Sequence, residues 1–224
     1  MSVYLLNIET STKACSVALF NGNKLLSCKE QVTDKFSHSE KLFFYISEVI
    51  KEANINFSQL EAIAISMGPG SYTGLRIGVS AAKGLCYALD IPLISVSTLQ
   101  SMAYGISRNE KADLYCPMID ARRMEVYSAF YDSDNKIVRE ICADIIDKNS
   151  YKKELANKVV FFGDGSEKIA TTIINNNAIF ISGFHPSARF LGPLSYIKFL
   201  AGDFEDTAYF EPYYLKDFVA GKKN

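Results

Sequence analysis

Apolar residues first come in short runs, then in two longer stretches with helical spacing. Val3–Ile8, Ala14–Phe20 and Lys24–Gln31 read as strands, and Asn21-Gly22-Asn23 supplies a hairpin turn between the last two. Ser37-His38-Ser39-Glu40 has the form of a capping box, with Ser37 at the N-cap and Glu40 reaching back, and it opens a helix that ends near Ala53. The core face of that helix is Leu42, Ile46, Val49, Ile50 and Ala53. Phe43 borders this face, whereas Phe44 projects about 200° from Leu42, among Glu40, Ser47, Glu48 and Lys51. A strand at Ala62–Ser66, a glycine-rich loop, a second helix to Leu89, a strand at Leu93–Val96 and a helix from Thr98 complete a β-β-β-α-β-α unit.

The polar stretch from Ser107 to Asp113 marks a boundary. Beyond it, Leu114–Asp120 and Glu125–Tyr131 restart as strands around the turn Asp120-Ala121-Arg122-Arg123. A strand at Lys158–Phe162 runs into Gly163-Asp164-Gly165, a short helix follows Ser166, and a last helix begins through His185-Pro186-Ser187. The basic end, Gly221-Lys222-Lys223-Asn224, is expected to fray.

The stretch from Gly68 to Gly78, GPGSYTGLRIG, is the most closely specified in the chain. Glycine tolerates positive φ and close backbone approach, and a turn leading into a helix collects unpaired N–H groups. Gly68, Pro69, Gly70, Ser71, Thr73 and Arg76 therefore form either a ligand cradle or a close-packing device. The spacing excludes a P-loop, because Thr73 stands where the second glycine belongs and no lysine follows before Lys83. The same Thr73 breaks a dinucleotide fingerprint. In the following helix, Arg76, Ser80 and Lys83 are the only clearly polar side chains, and Gly74, Gly78 and Ala82 recur at four-residue spacing. Either the helix is a core element against a sheet, or its small residues admit a second helix.

With 48% hydrophobic and 22% charged residues among 224, the chain can bury a sizeable core. A formal charge of −1 leaves no strongly basic footprint for phosphate backbones. The five cysteines are well separated and none has CxxC spacing, which fits reduced, buried thiols. Neither a signal sequence nor an apolar stretch long enough to cross a bilayer is visible, so a cytoplasmic location is expected.

Asn7-Ile8-Glu9-Thr10-Ser11, His38-Ser39-Glu40-Lys41-Leu42, the Gly68–Gly78 loop, Asp120-Ala121-Arg122-Arg123-Met124-Glu125-Val126-Tyr127 and Pro212-Tyr213-Tyr214-Leu215-Lys216 together resemble the TsaB (YeaZ) family, in order and over nearly the whole chain. Aspartate is usual in that family where Glu9 stands, and arginine where Lys216 stands. The resemblance implies an α/β, actin/sugar-kinase/Hsp70-like (ASKHA) fold of two βββαβα-type subdomains, 1–106 and 107–224, with the last helix and tail returning to the first. It also implies a non-catalytic subunit in making threonylcarbamoyladenosine at position 37 of tRNA. The partners expected from it are a TsaD-type catalytic paralogue and a TsaE-type ATPase, with tRNA reached through the complex and a homodimer formed when the chain is alone.

Several residues bear on that expectation. The catalytic paralogue carries two histidines one helical turn apart that share a metal. Here His38 is followed by Leu42, so no metal site and no catalytic residue are expected, and ATP, ADP and metal are assigned to partner subunits. Glu9-Thr10-Ser11 and Asp120-Ala121-Arg122 lack the glycine that lets backbone touch phosphate in this superfold. The expected partner face comprises Phe43, Phe44, Ser47 and Lys51 of one helix and Gly74, Ile77, Gly78, Ala81, Ala82 and Leu85 of the next. Asp120, Arg122 and Arg123 form either a solvated turn or a contact to tRNA or nucleotide. An ASKHA-type ATPase or kinase, or an M22-like metallopeptidase, is the competing class.

Overall fold

Strand β1 (Tyr4–Glu9) is the centre of a five-stranded sheet in which both faces are covered, which is why its residues read as a nearly continuous apolar run. The structure, a computed structural model, describes residues 2–33 and 38–216. Ser37 and the basic end 221–224 lie outside the described residues. β1 pairs antiparallel with β2 (Ala14–Asn21), which pairs with β3 (Lys24–Val32). On its other side it runs parallel to β4 (Leu60–Gly68), followed by β5 (Leu93–Ser97), giving the order β3-β2-β1-β4-β5.

Leu6, Ile8, Val17, Leu19, Ile63 and Ile65 face helices α1 (His38–Glu52) and α2 (Tyr72–Leu89). The alternate residues Leu5, Ala62, Ala64, Ile94 and Val96 face helix α5 (Ala188–Ala201), with Leu191 among them. Ser195 of α5 donates to Asn7 Oδ1 at 2.7 Å, which satisfies a polar side chain buried in mid-strand.

The second half repeats the plan. β6 (Leu114–Asp120), β7 (Glu125–Tyr131), β8 (Ile137–Ile145), β9 (Val159–Phe162) and β10 (Ala178–Ile181) lie in the order β10-β9-β6-β7-β8. Helix α3 (Thr98–Ser107) follows β5 in sequence but packs Leu99, Met102, Ala103 and Ile106 against Tyr115, Ile119, Tyr131 and Phe162 of this second sheet. α3 and α5 thus cross, each covering the sheet of the other half.

Two strands, β8 and β10, do not stand out from the pattern of the chain. Both are edge strands, with no fully buried residue in either, so pairing rather than apolar alternation creates them. The expected short helix beyond Ser166 is instead α4 (Asp164–Glu167), which includes that serine.

Candidate functional site

The turn between β1 and β2 is closed by the chain itself. Glu9 Oε1 accepts the Ser11 amide at 2.6 Å and the Ser66 hydroxyl at 2.9 Å, while Oε2 has no hydrogen-bond partner and the residue is fully buried. Burial pushes this carboxyl above its usual range, and the hydrogen bonds from Ser11 and Ser66 offset only part of that effect. Ser11 in turn accepts the Ser71 amide at 2.6 Å through its carbonyl. Ser71 is the N-cap of α2, its hydroxyl accepting the Gly74 amide at 3.3 Å.

The glycines explain how closely these segments meet. A Cβ on Gly70 would lie 2.3 Å from the Ser11 carbonyl oxygen, one on Gly74 2.2 Å from that of Thr10, and one on Gly78 2.2 Å from Thr10 Oγ1. The loop is therefore a close-packing device against residues 10 and 11. This corrects the expected partner face: Gly74 and Gly78 are buried against Thr10 of the β1–β2 turn, and Ala81 and Ala82 are buried in the core beneath α2. Pro69 is buried too, whereas Thr73 and Arg76 are exposed. Arg76 lies over the Tyr72 ring at 4.4 Å and donates to the Tyr214 hydroxyl at 3.3 Å.

His38 belongs to the same closed cluster. Its Nε2 lies 2.8 Å from the Thr12 carbonyl oxygen, and burial lowers its pKa from the ordinary value. Leu42, one turn on, is wholly inside the core. Among the described residues no group of three or more His, Cys, Asp or Glu side chains is placed to hold a metal ion.

The outward sides of α1 and α2 are mostly polar, with Glu40, Lys41, Ser47, Lys51, Arg76 and Ser80 exposed, but they also carry three large aromatic side chains. Phe43 and Phe44 are 58% and 57% exposed on α1, beside exposed Ser47 and Lys51, and Tyr87 is 89% exposed on α2. Phe43 is thus as open as Phe44. Ile77 and Leu85 are half-buried and pack partly on the core. Tyr87 is absent from the face read off the sequence. Along another flank of α2, the tail is fastened by Lys83, which donates to the carbonyls of Ala208 at 2.9 Å and Phe210 at 3.2 Å. The Tyr213 amide then donates to Met67 O at 2.7 Å.

The equivalent turn of the second half, between β6 and β7, is open. Arg122 (φ 70) and Arg123 (φ 51) both adopt left-handed backbone, at a cost of about 1–2 kcal/mol each for residues with a Cβ. Asp120 Oδ1 accepts the Arg122 amide at 2.8 Å and pairs with Lys168, whose ammonium also donates to the Glu125 carbonyl at 2.6 Å. Lys216 of the tail pairs with the Glu125 carboxylate. Asp164 accepts the Asp120 amide at 3.0 Å, and burial raises the pKa of its carboxyl. The sequence brings Asp120, Arg122 and Arg123 together as a turn, but Lys168, Asp164 and Lys216 arrive from remote segments.

Comparison with known proteins gives one consistent result. Residues 33–208 match the family TsaD, tRNA N6-adenosine threonylcarbamoyltransferase. The Escherichia coli tRNA threonylcarbamoyladenosine biosynthesis protein TsaB is 30% identical over 98% of this chain and 97% of its own length. The structure of YeaZ from Pseudomonas aeruginosa superposes with a TM-score of 0.84 at 26% identity, covering 95% of this chain and all of that one. An activator of 2-hydroxyisocaproyl-CoA dehydratase from Clostridium difficile shares the fold alone, with a TM-score of 0.51 at 8% identity, covering 90% of this chain and 97% of that one. Two sheets of one repeated strand order, with α3 and α5 exchanged between them, are the ASKHA architecture.

Proposed function

Since the chain belongs to the TsaB (YeaZ) family and takes part in threonylcarbamoyladenosine modification of tRNA, we propose that it is the non-catalytic subunit of that pathway's transferase, docking on a TsaD-type paralogue through α1 and α2. The observation that carries this reading is the pair of exposed phenylalanines on α1, Phe43 and Phe44. Apolar side chains grouped in this way favour contact with a matching surface. A chain similar to the TsaD family over residues 33–208 shares its scaffold with that partner, so the two offer related helix pairs to each other. When the chain is alone, an isologous contact between two copies covers the same face.

The closed first turn supports a non-catalytic role. In this chain the Glu9 carboxylate already takes the Ser11 amide, and the Ser11 carbonyl takes Ser71, so the backbone of that turn is engaged internally. ATP, metal and a TsaE-type ATPase belong to the rest of the cytoplasmic assembly. In keeping with a cytoplasmic role, no helix among the described residues is long and apolar enough to cross a membrane.

Phe44→Glu tests the reading. The substitution places a charge on the outward face and leaves Leu42, Ile46 and Val49 of the core untouched, so the chain folds with a normal thermal midpoint. Calorimetric affinity for the TsaD-type paralogue should fall at least 30-fold, roughly the loss of a 2 kcal/mol hot spot. Threonylcarbamoyladenosine in cellular tRNA should fall with it. A folded variant that pairs at wild-type affinity removes this interface.

A further inference from the structure

The β6–β7 hairpin has features that docking through α1 and α2 does not explain. Arg122 and Arg123 are consecutive residues at positive φ in a hairpin tip closed by the Glu125 amide on the Arg122 carbonyl at 3.1 Å, and at positive φ asparagine and glycine sit without strain and arginine does not. The acidic neighbours are already engaged: Asp120 with Lys168, Glu125 with Lys216, and Asp164 with the Asp120 amide. Both arginines are exposed, and neither guanidinium has a hydrogen-bond or ion-pair partner among the described residues. A chain with a formal charge of −1 therefore concentrates two uncompensated positive charges at the tip of one strained turn.

We propose that the Arg122–Arg123 turn is a phosphate contact that takes phosphodiester oxygens of an RNA backbone. The proposal rests on reading the chain as a subunit of a tRNA-modifying assembly. Planar guanidinium forks match phosphate oxygens in bidentate pairs, and such contacts position a nucleic acid without reading its sequence. Two contacts give weak binding by the chain alone and a measurable increment within an assembly whose other subunits hold the same RNA. The Lys216 pair anchors this turn to the tail, whose preceding residues Tyr213 and Tyr214 are fastened to Met67 and Arg76. The phosphate contact and α2 are thus joined by a few residues of continuous, hydrogen-bonded chain.

The deciding variant is Arg122→Asn combined with Arg123→Gly, which removes both charges and installs residues that tolerate positive φ. Its thermal midpoint should equal or exceed that of the wild type; a purely structural role for the arginines predicts a fall. In the purified assembly with the transferase subunit, tRNA binding is measured from roughly 50 to 300 mM salt. The plot of log affinity against log salt should become shallower by about 2, about 1 for each lost phosphate contact. ATP affinity of the same assembly, measured by calorimetry, should not change. A wild-type slope in the variant assembly overturns the inference and leaves the functional reading intact. Loss of ATP affinity with unaltered tRNA binding also overturns it, giving the turn to a nucleotide phosphate. A wild-type assembly that binds no tRNA overturns both.

Discussion

The two halves share a strand order but cover their outer faces differently. Over the first sheet lie the full helices α1 and α2. Over the second, the β8–β9 connection makes only a 3-10 turn at Glu154–Ala156, and α4 is a single turn. Cover comes instead from Ile146, Tyr151, Leu155, Ile169 and Ile173. Tyr151 packs on Phe130 and Phe161 with ring centroids 5.1 and 5.9 Å away, and its hydroxyl donates to Asp144, which also takes Ser128 and a bidentate Arg139. This lid turns its large side chains inward. A helix has a second side, and on α1 and α2 that side carries Phe43, Phe44 and Tyr87. Apolar exposure in the second half is spread more widely, over β8 at Ile137, Val138 and Ile145, a turn at Ile174, α5 at Ile197 and Leu200, and the tail at Phe204 and Tyr209.

The hairpin turns differ in the opposite sense. The first is sealed by Glu9, Ser71 and the glycine loop, and the second projects two arginines. Sealing requires glycine at the contact, and the open turn places arginine where positive φ favours glycine or asparagine.

Removing the ionic centre of the second lid should have the largest effect. Burial opposes ionisation of Asp144, but the hydrogen bonds from Arg139, Ser128 and Tyr151 outweigh it and hold the carboxyl below its usual range. Asp144→Ala strands the Arg139 charge and should cost about 3 kcal/mol in denaturant unfolding. A loss below about 1 kcal/mol would mean that the aromatic stack alone covers this sheet.

Next in size is a pair of glycines on one helix. Gly74→Ala drives a Cβ into the Thr10 backbone and should destabilise by about 2 kcal/mol. Gly84→Ala meets nothing within 4 Å and should stabilise by about 0.5–1 kcal/mol. Equal effects at the two sites would contradict the sealed turn.

The smallest expected effect is a pH dependence. Burial raises the Glu9 carboxyl above 4.5, so the folded state holds that proton more tightly than the unfolded one. The stability this group contributes is complete below the unfolded value and declines as pH rises through the folded one. Glu9→Gln lacks that decline. The variant's thermal midpoint relative to wild type should therefore rise as pH increases above 4.5. A constant difference would show that the turn is closed without a perturbed carboxyl.

Much of the candidate site was legible because it is local. Phe44 stands off the apolar stripe of its own helix, and the Asp120–Arg123 turn lies between two strands, so periodicity alone isolates both. The role of the glycines was not legible in the same way. Four-residue spacing states that one face of α2 is small, but not what approaches it, and Thr10 lies more than sixty residues away in sequence. Tyr87 was missed because one exposed aromatic in an apolar helix looks like a core residue until the core is assembled.

Strand and helix types, the glycine loop, the missing second histidine and the two halves follow from the sequence by itself, because hydrophobic period, turn residues and caps act over a few neighbours. The return of α5 to the first sheet is expected from the family resemblance, whereas tertiary structure alone decided the packing of α3 on the second sheet, the edge strands β8 and β10, the burial of Gly74 and Gly78 against Thr10, and the capture of Asp120 and Glu125 by Lys168 and Lys216. Each of these joins residues far apart in the chain, and such contacts are selected by the packing of the whole rather than by any local preference.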